Sequence, residues 1–450
     1  MRVMQPRPAL PPGRLEEKFD DKKPRYDAAE AVAEANRCLY CSDAPCIAAC
    51  PTGIDIPTFI HKIATGNTKG AARTILSANI LGASCAQACP VEVLCAGACV
   101  YNLWGREPIQ IGRLQRFAVE TTLEKAPRLF QPNPRTGKKI ALVGSGPASI
   151  AAAGLLALEG HTCVIFERKE LPGGLNTLGI APYKMKGPDA IRELEWILSL
   201  GDIELRTGVE VVGGRASGPR QISAEELISQ YDAVFLGLGL GADSKIGIEG
   251  EDGPGVWGAV DLIERIKAQP GFALGGVKRA VVVGGGNTAL DIAHELSLLG
   301  VEVDMVYRRS EAEMSGYRHE LDGARKDGVR LIENRQPVAV LRDEAGKVTG
   351  VRVQRTEGGR PLPGTDEVIS ADLVAVAIGQ NRATQVALAF PGVQLDAKGR
   401  VVVDPKTHRT GNPKVWSGGD CVNGGKEVVN AAAEARTAVR DIVAALSGRP

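Results

Sequence analysis

The chain has 450 residues, which is too long for one ordinary domain and predicts two to four domains. Its formal net charge is +1, so no bulk electrostatic attraction to nucleic acid or to an anionic membrane is expected. No apolar run approaches the roughly 20 residues of a membrane span, and the N-terminus lacks an apolar signal core. We therefore expect a cytoplasmic protein.

The N-terminal region carries eight of the ten cysteines in two groups of four. The first group reads Cys38-x2-Cys41-x4-Cys46-x3-Cys50, and the second reads Cys85-x3-Cys89-x5-Cys95-x3-Cys99. In the cytosol, clustered thiols stay reduced and bind metal, so two four-ligand metal sites are favoured over a disulfide framework. Zinc prefers Cys-x2-Cys pairs, and only one is present. A cysteine followed by proline occurs twice, which favours iron–sulfur clusters over zinc.

The segments around these cysteines predict an α-helical domain over residues 1–130. A proline-rich extended arm covers residues 1–25, and it is followed by predicted helices over Ala28–Asn36, Ile56–Ile63 and Gly70–Ser77. A further helix is predicted to begin near Ile111, with Leu114, Phe117 and Ala118 on one face. The segment Lys125–Lys139 contains three prolines and predicts a linker.

A nucleotide-binding motif follows the linker. An apolar strand leads to Gly144-Ser-Gly146, an Ala-rich helix, and a second strand that ends at Glu167. The glycines make a tight turn and admit a pyrophosphate to the helix N-terminus, and the acid can accept both ribose hydroxyls. The predicted residues of this first site are Gly144, Gly146, Pro147, Ala148, Glu167 and Arg168.

A second copy of the motif begins at Gly284, at an offset of 140 residues from the first. Tyr307 stands where the first copy has Glu167, and Arg308 and Arg309 follow it. Arginine can bind a 2′-phosphate through charge-assisted hydrogen bonds, whereas an acid would repel it. We predict an NAD(P)H site with a preference for NADPH; the alternative is that the arginines lie in a solvated loop. The predicted residues are Gly284, Gly286, Asn287, Thr288, Arg308 and Arg309.

Three N-terminal segments resemble the corresponding region of dihydropyrimidine dehydrogenase, and resemble even more the separate PreT-like subunit of the bacterial enzymes. They are RCLYCSDAPCIAACPTGIDIPTFI, GAARTILSANILGASCAQACPVEVLCAGACVYN and PIQIGRLQRFAVE. The small subunit of glutamate synthase has the same architecture. The resemblance extends from about Cys38 to the C-terminus, and the cysteine spacing makes it specific.

This resemblance implies two [4Fe-4S] clusters with crossed ligation. One cluster would be held by Cys38, Cys41, Cys46 and Cys99, and the other by Cys50, Cys89, Cys95 and Gln115. Cys85 is then left over as a small buried residue. Nothing in the sequence alone singles out Gln115, and the glutamate synthase branch typically has an acid there. A neutral amide in place of a thiolate removes a negative charge, so a raised reduction potential is expected for the second cluster.

The resemblance also implies FAD in the first nucleotide site. Gly174 and Leu175 lie in a segment that approaches the flavin in flavoproteins with two dinucleotide domains, and no cysteine pair follows it, which disfavours a disulfide reductase. Gly419 and Asp420 are expected near the flavin ribityl chain. The helix after Lys426 is expected to aim its N-terminus at the N1–O2 edge of the flavin.

The fold class implied is α/β with an N-terminal α-helical iron–sulfur domain and two Rossmann-like domains, the second inserted in the first. Strands ending at Gly239 and Gly379 resemble the crossings between the two domains. The expected FAD-binding parts are residues 138–244 and 372–450, and the expected NAD(P)H-binding domain is residues 245–371.

The function implied is electron input to a partner. NAD(P)H would reduce FAD, and two clusters would pass the electrons to a catalytic, FMN-containing (PreA-like) subunit of dihydropyrimidine dehydrogenase in a hetero-oligomer. We expect no room in this chain for that FMN barrel, so the pyrimidine chemistry is expected on another polypeptide. The bacterial subunit is described as NAD-dependent, which leaves the nucleotide preference open. The alternatives are a glutamate synthase small subunit and a non-catalytic scaffold that binds nucleotide. No catalytic acid or base is predicted.

Overall fold

The computed structural model of the chain describes residues 9–125 and 129–448. Within these residues, helices α1 to α16 span Ala28–Ala35, Pro45–Ala48, Ile56–Ala64, Thr68–Ala78, Gly82–Ala88, Ile111–Lys125, Pro147–Leu158, Leu175–Leu178, Gly187–Leu198, Ala224–Gln230, Ala259–Ala268, Asn287–Leu298, Arg318–Lys326, Thr384–Leu388, Asp420–Asn423 and Val428–Ser447. Strands β1 to β15 span Lys139–Val143, Thr162–Glu167, Ile203–Thr207, Glu210–Val212, Gln221–Ser223, Ala233–Leu236, Val256–Gly258, Arg279–Val283, Glu302–Val306, Arg330–Ile332, Arg335–Arg342, Val348–Glu357, Arg360–Ser370, Leu373–Val376 and Val415–Ser417. No helix in the described ranges has both the length and the apolar character needed to cross a bilayer.

Helices α1 to α6 form the N-terminal region, and the predicted helices are found there within two residues of their expected ends. Asp27 begins α1 with a capping box to Glu30, which satisfies backbone N–H groups at the helix start. The predicted face of α6 is buried, with Leu114 and Ala118 fully inaccessible and Phe117 7% exposed. This face packs into a core that is continuous with that of the first sheet.

The described parts of the predicted arm and linker pack against the rest of the protein and are not free extended segments. Leu15 and Phe19 of the arm are buried in the core around the second sheet, and a short 3-10 helix covers Leu15–Lys18. The linker packs along the turn after α7, where the Asn133 N–H donates to the Leu158 carbonyl at 2.8 Å. Residues 1–8 of the arm and Pro127 of the linker lie outside the described residues.

The first sheet has the parallel order β15-β6-β1-β2-β3, and the second has the parallel order β10-β9-β8-β14-β7. The unit β1–α7–β2 recurs as β8–α12–β9 at the offset of 140 residues read from the sequence. The repeat also reaches further, because β6 at Ala233–Leu236 has its counterpart in β14 at Leu373–Val376. These paired parallel sheets confirm the α/β fold class.

The position of β14 corrects the expected domain boundary at residue 372. β14 pairs with β8 and β7, so it is an internal strand of the second sheet and not part of the first. All four of its residues are buried, as expected for a strand covered on both faces. The internal repeat explains this position. β6 pairs with β1, and its counterpart β14 therefore pairs with β8, the counterpart of β1.

The connections between the two sheets run side by side just after β6 and β14. The Gly241 N–H donates to the Asn381 carbonyl at 2.7 Å, and the Asn381 N–H donates to the Ala242 carbonyl at 2.8 Å. A three-stranded antiparallel sheet, β11-β12-β13, was not predicted and lies between β10 and β14 in the chain. Its valines pack against one face of the second sheet.

A buried carboxylate joins the N-terminal helices to the first sheet. Glu193 of α9 is 3% exposed and accepts hydrogen bonds from the Ala83 N–H at 2.6 Å and the Ser84 N–H at 3.1 Å. The Ser84 hydroxyl also donates to it. These donors lie in the first turn of α5, where an anion is stabilised. Burial raises the pKa of Glu193 to about 7 despite these bonds.

We expect Glu193→Gln to change how stability depends on pH. The folded-state pKa is raised, so the stability that this carboxyl contributes is present at low pH and is lost as pH rises through about 7. Between about pH 5 and 7, the free energy of unfolding of the native chain should fall relative to that of the variant by on the order of 2–3 kcal/mol. Denaturant unfolding at a series of pH values measures the difference.

Ser84→Ala serves as the matched control. It removes the hydroxyl that lowers the pKa of Glu193 and leaves the carboxyl in place. The pH-dependent loss should therefore persist and extend to higher pH. A pH-independent difference between the native chain and Glu193→Gln would contradict this account of the contact.

Candidate functional site

One cavity of about 1720 Å³ lies between the two parallel sheets, at the end where both glycine loops follow their first strands. It is larger than the roughly 300–1,000 Å³ usual for one drug-sized ligand. All of the residues predicted for the two nucleotide sites line it: Gly144, Gly146, Pro147, Ala148, Glu167, Arg168, Gly174, Leu175, Gly284, Gly286, Asn287, Thr288, Arg308, Arg309, Gly379, Gly419 and Asp420.

The first glycine loop is packed tightly on one side and open on the other. Gly144 has φ +87°, and a Cβ there would lie 2.5 Å from the Gly237 carbonyl oxygen. Gly146 has an ordinary φ of −70°, and a Cβ there would meet nothing within 4 Å. Its bare backbone therefore faces the cavity at the N-terminus of α7, where a phosphate can approach the N–H groups. The cradle fits a pyrophosphate.

Glu167 ends β2 and holds this loop. Its Oε2 accepts hydrogen bonds from the Ser145 N–H at 2.8 Å and from the Ser145 hydroxyl at 2.7 Å. Its Oε1 accepts from the Lys169 N–H at 2.8 Å. Because each carboxylate oxygen can accept more than one bond, capacity remains toward the cavity. The side chain thus orders the loop and can also receive a ribose hydroxyl.

The second glycine loop is packed against a neighbouring backbone carbonyl in the same way as the first. A Cβ at Gly284 would lie 2.4 Å from the Ala377 carbonyl oxygen, and one at Gly285 would lie 2.5 Å from the Tyr307 ring. The Tyr307 hydroxyl donates to the Glu313 carbonyl at 2.9 Å, so it is held within the same domain. A dinucleotide pyrophosphate fits this loop for the same reason as the first.

The arginine pair lies at the rim of the cavity. Arg308 is exposed and Arg309 is half-buried. Among the residues that the structure describes, neither guanidinium has a carboxylate within salt-bridge distance, although many other surface arginines do. Both are therefore available to a ligand anion, as the 2′-phosphate prediction requires.

A cluster of charged side chains on the cavity wall had no sequence signal. Lys184, between α8 and α9, contacts Asp291 of α12 at 2.6 Å and Glu320 of α13 at 3.1 Å. Burial opposes the charge of Lys184, but the two carboxylates raise its pKa overall. The same cavity wall includes Tyr317 and Glu427. These contacts join the two dinucleotide domains, and no short motif predicts them because the partners are far apart in sequence.

The N-terminus of α16, which is expected to point at the N1–O2 edge of the flavin, is not free of negative charge. The helix begins at Val428, with Glu427 at the N-cap. The Asn430 side chain accepts from the Glu427 N–H at 3.3 Å, and the Asn430 N–H donates to the Glu427 backbone carbonyl at 2.9 Å. A carboxylate of the chain itself therefore lies at this helix end, where an anion is favoured. Asp420 lies nearby and accepts from the Lys426 N–H at 3.2 Å. Burial, reinforced by Glu434 and Glu427, raises the pKa of Asp420 to about 6.

The first predicted set of cysteines surrounds a separate small cavity. Cys38, Cys41, Cys46 and Cys99 line it together with apolar side chains that include Ile56 and Ile111. Burial, followed by neighbouring thiols, raises the pKa of Cys46 to about 11. A metal must displace these protons, because the thiolate is the ligand. In a four-iron cluster each thiolate binds a different iron, so a ring of four around a cavity fits that cluster.

The second set of cysteines is adjacent to the first. Burial, followed by the nearby Cys89 and Cys50, raises the pKa of Cys95, and Cys46 of the first set also contributes. The hydrogen bond with Cys85, followed by burial, raises the pKa of Cys89. Cys85 is buried, as expected, but it lies beside a predicted ligand. The described residues contain no group of three or more His, Cys, Asp or Glu placed to hold a single metal ion.

Gln115 is held in α6 with one end of its amide fixed. Its side chain is buried, and Nε2 donates to the Gly82 carbonyl at 2.8 Å. This bond leaves Oε1 as the amide atom that can act as a metal ligand. The ligand role that the resemblance implies for Gln115 stays a prediction.

The cysteine region also reaches the large cavity. Ala88 and Pro90, which flank Cys89, line it together with Leu94. The Lys23 ammonium donates to the Cys89 carbonyl at 2.9 Å and holds this segment in place. Chain neighbours of two predicted cluster ligands, Cys89 and Cys95, thus form part of the nucleotide cavity.

Two family models match the chain in the same order as these structural regions. The first, dihydropyrimidine dehydrogenase domain II with a 4Fe-4S cluster, matches residues 15–127. The second, pyridine nucleotide-disulphide oxidoreductase, matches residues 138–435. The class defined by the fold and by these matches is an NAD(P)H-dependent flavoprotein oxidoreductase that carries FAD and 4Fe-4S iron–sulfur. The match to a 4Fe-4S domain confirms the prediction of iron–sulfur over the zinc alternative.

The chain belongs to the pyridine nucleotide-disulphide oxidoreductase family, in the group with an N-terminal 4Fe-4S domain. It is 34% identical over 444 residues to the glutamate synthase [NADPH] small chain of Escherichia coli, covering 93% of this chain and 92% of the relative. It is also 34% identical over 433 residues to the NAD-dependent dihydropyrimidine dehydrogenase subunit PreT of Escherichia coli, covering 96% and 98%. These relatives confirm the resemblance read from the sequence.

A solved structure supports the fold alone. The thioredoxin reductase of T. acidophilum matches with a TM-score of 0.55 and 21% identity, covering 68% of this chain and 98% of that one.

Cys85 and Cys89 offer a matched pair for testing the cluster ligands. We expect Cys89→Ala to lose one cluster, because it removes a predicted ligand, and Cys85→Ala to keep both. Anaerobically reconstituted protein should contain about eight irons per chain for the native protein and Cys85→Ala, and about four for Cys89→Ala. Iron analysis and electron paramagnetic resonance after reduction measure the difference. Equal iron contents in the two variants would contradict the assignment. A loss of iron in Cys85→Ala alone would make Cys85 the ligand in place of Cys89.

Proposed function

We propose that this protein is the electron-input subunit of a dihydropyrimidine dehydrogenase. It accepts hydride from NAD(P)H and delivers electrons through FAD and two [4Fe-4S] clusters to a separate catalytic subunit with which it forms a hetero-oligomer. The single observation that carries the proposed electron path is the shared cavity. Residues of both glycine loops and residues that flank Cys89 line the same space.

The bound groups supply the redox chemistry: the nicotinamide gives a hydride, the flavin accepts two electrons, and the clusters take one electron each. The chain's own residues position them. The loop at Gly144–Gly146 would hold the FAD pyrophosphate, and the loop at Gly284–Gly286 that of NAD(P)H. Glu167 would receive the FAD ribose, while Asp420 would contact the ribityl chain. Lys184 with its carboxylate partners would hold the two domains in the arrangement for hydride transfer.

The pyrimidine assignment rests on Gln115. In the resemblance, the pyrimidine branch has this glutamine and the glutamate synthase branch has an acid. The buried amide, anchored at Nε2 by Gly82, presents a neutral ligand atom. A glutamate synthase small subunit remains the second candidate, because the chain is as similar to that relative as to the PreT relative.

Co-expression with candidate catalytic subunits from the source genome tests the proposal. The protein should co-purify with an FMN-containing pyrimidine-reducing subunit, and the complex should reduce uracil at the expense of NAD(P)H. Each subunit alone should not. Co-purification with a glutamate synthase large subunit and NAD(P)H-dependent glutamate formation would instead establish the second candidate.

Arg308 should set the nucleotide preference. Loss of a charge-assisted hydrogen bond to the 2′-phosphate costs about 1.5–3 kcal/mol, so kcat/KM for flavin reduction by NADPH should fall about tenfold or more in Arg308→Ala. The value for NADH should change little, because NADH lacks that phosphate. Stopped-flow bleaching of the flavin absorbance with each nucleotide gives both values.

Arg215→Ala is the matched control, because Arg215 is an exposed arginine that does not line the cavity. It should leave both values unchanged. If the NADPH-to-NADH ratio is the same in Arg308→Ala and the native protein, Arg308 has no role at a 2′-phosphate.

A further inference from the structure

One hydrogen bond crosses the large cavity from the second dinucleotide domain to the first. The Tyr317 hydroxyl donates to Oε1 of Glu427 at 2.8 Å, and the two residues are 110 positions apart. Both line the cavity. Burial, followed by the bond to Glu427, raises the pKa of Tyr317 to about 12, so the phenol keeps the proton that it donates.

On the side of the second domain, Tyr317 is fixed to the glycine loop itself. Its N–H donates to Oδ1 of Asn287, the first residue of α12, at 2.9 Å. The preceding Gly316 N–H donates to the Gly285 carbonyl at 3.0 Å. A Cβ at Gly316 would lie 3.2 Å from that same carbonyl oxygen, so the two segments are in close backbone contact. A dinucleotide on this loop therefore contacts a segment that carries Tyr317 with it.

On the side of the first domain, Glu427 is fixed to the start of α16. It is the N-cap residue: the Asn430 side chain accepts from the Glu427 N–H at 3.3 Å, and the Asn430 N–H donates to the Glu427 backbone carbonyl at 2.9 Å. The first turn of α16 faces the cavity through Val428, Asn430 and Ala431. A displacement of the Glu427 carboxylate thus alters the wall and the charge of the proposed FAD site.

We propose that Tyr317 and Glu427 are positioning residues that couple the two nucleotide sites, so that occupancy of the NAD(P)H loop changes the affinity of the FAD site. This inference rests on the proposed assignment of the two loops. Asn287, Tyr317, Glu427 and Asn430 form a continuous chain of hydrogen bonds from one loop to the helix at the other. Coupling between two sites is reciprocal, so FAD must change the affinity for the nucleotide by the same factor.

The test uses full-length protein that retains its clusters and from which FAD has been removed. The dissociation constant of FAD is measured by flavin fluorescence with and without saturating NADP⁺, or NAD⁺ if that binds more tightly. The nucleotide constant is then measured with and without FAD. We expect a coupling factor of at least about fivefold in the native protein, the same from both directions.

Four variants separate the proposed contact from a general loss of structure. Tyr317→Phe removes the donor, and Glu427→Ser keeps a good N-cap residue but is too short to reach Tyr317. Both should reduce the coupling factor to below about twofold. Glu427→Gln retains an acceptor of the same length and should restore most of the coupling. Tyr101→Phe removes a hydroxyl that donates to the Arg37 carbonyl at 2.8 Å within the N-terminal region, away from the cavity, and it should keep the native factor.

The double variant Tyr317→Phe with Glu427→Ser should lose no more than either single variant, because both remove one contact. Independent binding of the two ligands to the native protein, or native coupling in both Tyr317→Phe and Glu427→Ser, would overturn the inference and leave the site assignments standing. Failure of FAD or of both nucleotides to bind the native protein would overturn the site assignments and the coupling together.

Discussion

Both nucleotide loops depend on one steric constraint, which is the close contact of a glycine with a carbonyl oxygen at the end of the neighbouring strand. A Cβ at Gly144 would collide with the oxygen of Gly237, and one at Gly284 would collide with that of Ala377. These partners are again 140 residues apart, so the repeat includes the contact that positions each loop. Since the loop is held from behind by a backbone atom, its other side can stay bare for a phosphate. The rest of the cavity is arranged around these two fixed points.

The 140-residue offset explains which features could be predicted from the sequence and why the domain boundary was placed wrongly. Asp232 accepts hydrogen bonds from the Lys139 N–H, and Asp372 accepts from the Arg279 N–H, each at 2.9 Å. The glycine loop with its flanking strand and helix also recurs at this offset, and because that unit is local in sequence it could be read from the chain. The domain boundary at residue 372 was wrong because the repeat was followed for only its first part. Extended to β14, it would have assigned that strand to the second sheet.

Other features could not be predicted, because they are contacts between distant segments. The partners of Lys184 are more than 100 residues away, and so is the partner of Tyr317. The N-terminal arm was expected to be extended, yet Phe19 is buried against the second sheet's core. For Gln115, the ordinary reading of a polar helix residue would have prevailed without the family resemblance. Periodicity and spacing report on one element at a time, whereas these positions are determined by how the elements meet.

The charged residues of the two sites differ in burial and in bonding. This difference favours a tightly held cofactor at the first loop and an exchanging one at the second. Glu167 is buried and already bonded to its own loop through Ser145 and Lys169, so its site is ordered before a ligand arrives. A preorganised site loses little entropy on binding and holds its ligand tightly. Arg308, by contrast, is exposed at the rim and has no carboxylate partner among the described residues. A solvated charge can attract a phosphate and also release it, because water competes for the guanidinium throughout. These two environments are the reason for proposing a resident flavin at the first loop and a nucleotide that enters and leaves the second.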